Sequence, residues 1–195
     1  MADAMIELRL SENDQKLHDR LVVSSDDIAL ARYCAGVLLK KRWHAEQWER
    51  RGTAYEQQTA FTSALVIAYG RPFTVSKGWP AIPSDLIPYD DREAALHGQI
   101  IKLRHQVYAH SDSTRYLIKR LRVGAVSGLV IRRPALRLTA DEATLFLTMT
   151  GKLLSSIDVR VQAVLATATA ELVPDSPQAL TGASRAAITF HRRRK

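Results

Sequence analysis

Cysteine is almost missing from this chain: Cys34 stands alone, so neither an internal disulfide nor a cysteine-based metal centre can form. Long apolar runs are missing too. The longest candidate, residues 64–68, falls far short of the ~18 needed to cross a bilayer, so no membrane association is expected. Acidic Asp3 and Glu7 stand where a secretory leader needs a basic start and an apolar core, which leads us to expect no leader and a cytoplasmic location. There is no G-x-x-x-x-G-K-[ST] or G-x-G-x-x-G phosphate loop and no G-x-S-x-G elbow. The six histidines, His18, His44, His97, His105, His110 and His191, form no H-E-x-x-H motif. His97 and His105 are two helical turns apart, too far for joint ligation. No metal or cofactor is therefore expected. No repeat or low-complexity tract is present.

The 195 residues that remain to be explained are 46% apolar and 25% charged, the composition of a globular protein. Lys and Arg number 28 against 20 Asp and Glu, a net charge of +8. Half of that excess lies in Arg192, Arg193, Arg194 and Lys195. The balance permits a polyanionic partner without requiring one.

Periodicity predicts a mainly α protein, an antiparallel bundle of about four long helices with a short β-hairpin insertion. We expect one domain over residues 1–173 and a loosely ordered basic tail over 174–195. Ser24, Ser25 and Asp26 offer N-caps for a first helix from about Asp27 to Arg50, with Ile28, Ala31, Ala35, Leu38 and Leu39 inward and Gly52 ending it. Thr53 caps a second helix to Tyr69, and Gly70 suits the left-handed position that stops a helix. Four prolines between Arg71 and Tyr89 exclude helix there. Phe73, Trp79 and Ile82 give that loop something to bury. Asp90 and Glu93 open a third helix to about His110, whose Leu96, Ile100, Leu103 and Val107 form the clearest apolar stripe in the chain. Tyr116, Leu117, Ile118, Leu121 and Val123 before Gly124, Ser127 and Gly128, with Leu129, Val130 and Ile131 after them, predict two short strands in a hairpin over about 115–133. Thr139 and Glu142 form a capping box for a last helix to about Leu172, with Phe146, Leu153, Ile157, Val161 and Val164 on its apolar face. Cys34 falls within the apolar part of the first helix and reads as a buried structural thiol.

Chemistry concentrates at the end of the third helix, in LRHQVYAHSD, residues 103–112. On an ideal wheel Arg104 and His110 flank the apolar stripe about 120° apart, and His105 points away from it. Two such helices packed stripe to stripe around a two-fold axis would bring Arg and His from both chains into one cleft. Arginine grips phosphate oxygens bidentately, and histidine moves protons near neutral pH. A phosphodiester beside a 2′-hydroxyl needs those two services. The same residues also suit the negative end of a helix dipole, with Arg104 pairing to Asp90, Asp91 or Asp112.

The run R-H-Q-V-Y-A-H resembles the signature of the HEPN superfamily: arginine, a polar residue, a few arbitrary residues, then histidine. Ser111 and Asp112 complete an AHSD ending similar to that of HEPN proteins in bacterial abortive-infection systems, and YGRPF, residues 69–73, resembles part of that branch. The resemblance covers about Asp27 to Asp112. It implies a small dimeric helical protein, in many members a metal-independent endoribonuclease, with roles in phage defence or toxin–antitoxin systems. It implies RNA as substrate, a homodimer, and an antitoxin or partner enzyme. His110 would then move protons at the 2′-oxygen or the leaving 5′-oxygen, and Arg104 would hold the phosphate. His105 fills the polar position of the signature. Arg71, Tyr108 and Asp112 are candidates for binding or orienting substrate. Some HEPN proteins only bind ligands or inhibit partners, so a non-catalytic RNA-binding or assembly module is the alternative. Elsewhere, Lys40, Lys41 and Arg42 read as a solvated face. Arg132, Arg133, Arg137 and the HRRRK tail offer phosphate contacts, and Tyr108 and Tyr116 offer rings for base stacking.

Overall fold

The computed structural model describes residues 6–43, 54–108, 117–124, 126–132 and 138–172. Its elements run β1 (Ile6–Arg9), α1 (Glu12–Lys40), α2 (Ala54–Gly70), a 3-10 turn (Ser84–Leu86), α3 (Asp91–Leu103), a π-helical turn (Arg104–Tyr108), β2 (Leu117–Val123), β3 (Val126–Arg132), α4 (Ala140–Leu165) and β4 (Thr169–Leu172). The fold is mainly α, with four helices and a β-hairpin, as the periodicity predicts. Helix α1 is the hub and packs on both α2 and α4. Leu21, Ile28, Ala31, Cys34, Ala35 and Leu38 of α1 meet Leu65, Val66 and Tyr69 of α2, Leu96 and Ile100 of α3, and Phe146, Met149, Leu153 and Ile157 of α4 in one core. Burial also pushes the Cys34 thiol above its usual range, as befits a structural cysteine.

Helix α1 starts at Glu12, fifteen residues before the Asp27 its periodicity suggests. Ser11 is the N-cap, its hydroxyl accepting from the Asp14 N–H at 3.2 Å. Ser24, Ser25 and Asp26, expected as caps, lie mid-helix. The inward stripe does continue through Arg20, Leu21, Ser24, Asp27 and Ile28, all buried, but three of those five are polar and interrupt the apolar count. The helix also ends early, at Lys40. Arg42 adopts a left-handed φ of 54°, its N–H bonds the Leu39 carbonyl at 3.0 Å, and the Trp43 N–H bonds the Leu38 carbonyl at 2.9 Å. This is a Schellman motif with arginine at the position that favours glycine. Trp43 then folds against Phe61, ring centroids 5.8 Å apart. The expected continuation through Arg50 to Gly52, and the Thr53 cap, lie outside the described residues.

Both capping boxes form. Asp90 and Glu93 open α3, and Thr139 and Glu142 open α4, each with its reciprocal pair of bonds. Helix α4 stops at Leu165 rather than running to Leu172. The chain turns back so that Thr169–Leu172 pairs antiparallel with Ile6–Arg9, tying the two ends of the described chain together. Residues 174–195, including the basic tail, lie outside the described residues. The proline-rich loop is ordered as expected: Ile82 is buried and Phe73 packs on the core.

Where α2, the loop, α3 and α4 meet, polar groups are packed among rings. Tyr69 is fully buried, and its hydroxyl lies 2.8 Å from His97 Nδ1 and 3.1 Å from the Tyr89 hydroxyl. All three are satisfied when Tyr89 donates to Tyr69 and Tyr69 donates to a neutral imidazole. Phe73 stacks edge-on against His97 at 4.6 Å and Phe146 against Tyr69 at 5.0 Å. Burial raises both phenols, Tyr89 to about 12, and lowers His97 below its ordinary value. Beside them Glu93, 1% exposed, accepts from Lys152 of α4 at 2.7 Å, and that bond raises the Lys152 ammonium.

Two outcomes follow. Arg42→Gly removes a left-handed strain and is expected to stabilise the fold by about 0.5–1 kcal/mol, read as a rise in urea midpoint at unchanged m-value. His97 is held neutral in the fold but takes up a proton near pH 6.5 when unfolded. Its contribution is therefore complete above that pH and is lost as pH falls through the window below it. Unfolding free energy measured from pH 7 to pH 5 should decline in the wild type and decline less in His97→Gln.

Candidate functional site

The end of α3 is not a plain α-helix. The Arg104 N–H is shared between the carbonyls of Ile100 and Ile101, and from Arg104 to Tyr108 the chain takes the wider π turn. The 100° step that sets Arg104 and His110 about 120° apart on an ideal wheel therefore stops applying at Arg104. His110 and Asp112, and the side chain of Tyr108, lie outside the described residues. A second expectation is corrected outright. Leu96 and Ile100 are 4% and 0% exposed within this one chain, and Leu103 packs on the same core. These three residues of the α3 stripe are taken up inside the protomer and are not free to meet a second copy; the side chain of Val107, the fourth, lies outside the described residues.

Arg104 is half-buried, and its position is set by a glycine. A Cβ built on Gly70 would lie 2.7 Å from Arg104 Cγ and 3.2 Å from Cδ, so the arginine stem lies on bare backbone at the end of α2. Gly70 does not take the left-handed conformation expected of it; its value is the missing side chain. The α2 carboxyl end also presents the negative pole of its dipole to this cation. The Arg104 guanidinium donates through Nη1 to His105 Nδ1 at 3.2 Å, which uses the imidazole as an acceptor. His105 is exposed, as the wheel predicts. Asp90 and Asp91, weighed as Arg104 partners, sit at the opposite end of α3, where Asp90 caps the helix.

Arg71 follows Gly70 directly in the chain, so its backbone adjoins the residue on which the Arg104 stem lies, while its side chain turns to Asp27 of α1. Arg71 is not a free charge. Its Nη1 bonds Asp27 Oδ1 at 3.0 Å, with the carboxylate side chain 12% exposed and the arginine 56%. The backbone beneath is held by Arg20, 4% exposed, whose Nη2 donates to the carbonyls of Arg71, Pro72 and Thr74 at 2.8, 3.0 and 3.2 Å. The Thr74 hydroxyl donates back to the Gly70 carbonyl at 2.7 Å and closes the helix end.

The sequence reading took Gly70 only as a helix stop and left out two supporting residues, Arg20 and Asp27. Their signal was present: Arg20, Ser24 and Asp27 recur at helical spacing, a polar stripe in register with an apolar one. Among the described residues no group of three His, Cys, Asp or Glu side chains gathers into a metal-ligand set.

The Gly70–Arg104 contact gives a measurable coupling. Gly70→Ala should destabilise the wild type by about 1–3 kcal/mol through overpacking and destabilise it less in an Arg104→Ala background. A double-mutant cycle on urea unfolding reads the difference; additive effects would show that the two residues do not touch. In comparison with known proteins, the chain matches no family model, no curated protein and no solved structure.

Proposed function

We propose that this chain is a HEPN-like RNA-cleaving protein whose site is built from Arg104, His105 and His110, with Arg71 and Tyr108 at its margin and Asp112 as an orienting group. The observation that carries the reading is Arg104 itself. Its stem is pinned on Gly70 at the first residue of a π turn, inside the one segment that has the R-H-x4-H pattern. Single π turns occur often at functional sites, because the irregular turn redirects side chains that a regular helix would leave on a fixed wheel.

The chemistry needs no covalent intermediate with the protein. The 2′-hydroxyl loses a proton and attacks the neighbouring phosphorus. The bond from phosphorus to the 5′-oxygen breaks, and that oxygen takes up a proton. The products are a 2′,3′-cyclic phosphate and a 5′-hydroxyl. His110 serves the proton transfers, and Arg104 neutralises charge gathering on the phosphate oxygens. His105 accepts from Arg104 and steadies the guanidinium. Pairing with Asp27 makes Arg71 a weaker phosphate ligand than a free arginine, and its role is to add local positive charge. A homodimer that joins two motif ends uses a surface other than the α3 stripe. No described helix is long and apolar enough to cross a membrane, and a cytoplasmic protein of phage defence or of a toxin–antitoxin pair, held by an antitoxin or acting on a partner enzyme, fits this reading.

A second reading has its own support. The seating of Arg104 on Gly70 and the Arg71–Asp27 pair are also what a purely structural helix-end cluster needs, and then the chain is a non-catalytic binding or assembly module. Purified protein incubated with single-stranded RNA, excess chelator and near-neutral buffer separates the two. Cleavage leaving 2′,3′-cyclic phosphate, lowered about 10²–10⁴-fold by His110→Ala and strongly by Arg104→Ala at unchanged thermal midpoint, supports the nuclease. RNA left intact across several sequences returns the chain to the second reading.

A further inference from the structure

The net charge of this protein is not spread over its surface. Between Asp112 and Asp141 lie 28 residues with seven Lys or Arg and no Asp or Glu. With the last four residues, all basic, that segment carries more than the whole positive excess. In the rest of the chain 20 acidic residues face 17 basic ones. The body is mildly acidic, and one inserted segment is strongly cationic.

That segment contains the hairpin. Strands β2 and β3 pair in register from Leu117↔Arg132 to Val123↔Val126, closed by a turn in which Gly124 takes a φ of 60°. They make no substantial contact with any helix. Strand alternation puts Ile118, Arg120 and Arg122 on one face and Lys119 and Leu121 on the other. All five are exposed, Ile118 at 51% and Leu121 at 50%, and Val126 beside the turn at 71%. No carboxylate pairs with Lys119, Arg120 or Arg122 among the described residues. Arg120, Leu121 and Arg122 line an open concavity with Ser127 and Gly128. A lone two-stranded hairpin in water is marginally stable. One whose described side chains are exposed on both faces, and whose charge is all of one sign, is built to be covered.

We infer that the hairpin is a nucleic-acid-binding arm that takes the phosphodiester backbone between Arg120 and Arg122. Charge complementarity selects this occupant. A second copy of the hairpin would set like charges together. A lipid surface would favour apolar residues gathered on one face and basic ones on the other, whereas here both faces carry both kinds. Residues 120 and 122 sit about 7 Å apart along the strand, on the order of the spacing between neighbouring phosphates of a nucleic-acid strand. Arginine suits bidentate phosphate contact, and the intervening alkyl groups offer surface to sugars and bases. The arm leaves the chain only eight residues after the π turn, which places bound strand close in sequence to the proposed cleavage motif. The inference concerns binding and stands whether or not the chain cleaves RNA.

The test uses the full chain and fluorescence anisotropy. Probes are a labelled 20-nucleotide 2′-O-methyl RNA, which lacks the attacking hydroxyl, and single- and double-stranded DNA of the same sequence, which tell the sources of the backbone apart. Arg120→Ala/Arg122→Ala should weaken binding at least tenfold on the preferred probe. For a single strand it should flatten the plot of log affinity against log salt by about 1.4, the loss of two phosphate contacts. Lys40→Ala/Lys41→Ala, which removes two charges from the helical body, should change neither. Thermal midpoints should not move in any variant, because the arm leaves the core untouched. Equal binding by wild type and arm variant, or no binding to any probe at 50 mM salt, overturns the inference. So does capture by anionic phosphatidylserine vesicles in place of nucleic acid. A fall in sedimentation mass for Ile118→Glu/Leu121→Glu with nucleic-acid binding intact overturns it in favour of self-association.

Discussion

A single buried arginine organises the region on which the candidate site stands. Arg20 projects from α1, is almost wholly buried, and donates to three backbone carbonyls after α2, those of Arg71, Pro72 and Thr74. Buried carbonyls without donors cost free energy, and a buried guanidinium without acceptors costs more. Each therefore needs the other, and the proline-rich loop is pulled onto α1. Asp27, two turns further along the same face, meets Arg71 and balances the charge. Once this clamp is closed the carboxyl end of α2 has one position, and Gly70 with it.

Everything at the motif is referred to that position. Arg104 lies against Gly70 because no side chain stands in the way, and packing sets the direction of its stem. Further back along α3, the Tyr69, Tyr89 and His97 network and, at the start of the helix, the Glu93–Lys152 pair link α2, α3 and α4 through groups that cannot shift singly without leaving a buried polar atom unpaired. These links hold α3 against α2 and α4 upstream of the π turn. This anchoring also explains why α3 can be irregular at its end: tertiary contacts hold the turn that intrahelical bonds alone would not.

The charge pattern divides the molecule by role. The helical body uses its acids internally or locally, in caps, in the Asp27–Arg71 and Glu93–Lys152 pairs, and in short-range surface pairs such as Lys16–Glu12. The hairpin does none of this. Among its described side chains, Ile118, Leu121 and Val126 stay exposed and no carboxylate pairs with Lys119, Arg120 or Arg122.

The sequence by itself determined the helical class, the two capping boxes, the hairpin, the ordered proline-rich loop and the burial of Cys34. Each of these rests on local chemistry: a side-chain oxygen three residues before an N–H, a two-residue or 3.6-residue period, a glycine at a turn. It also placed Arg104 at the edge of the stripe and His105 toward solvent. Tertiary structure decided the rest. The start of α1 was hidden because Arg20, Ser24 and Asp27 occupy core positions: a polar residue reads as surface in the local sequence, and the partners of Arg20 and Asp27 stand 44 to 54 residues away. The end of α1 was hidden because arginine, rather than glycine, takes the left-handed position for the sake of the Trp43–Phe61 contact. The pairing of β1 with β4, the π turn after Leu103 and the close approach of Gly70 to Arg104 all join segments far apart in the chain or override a local preference. No local period encodes them, and only the packed molecule fixes them.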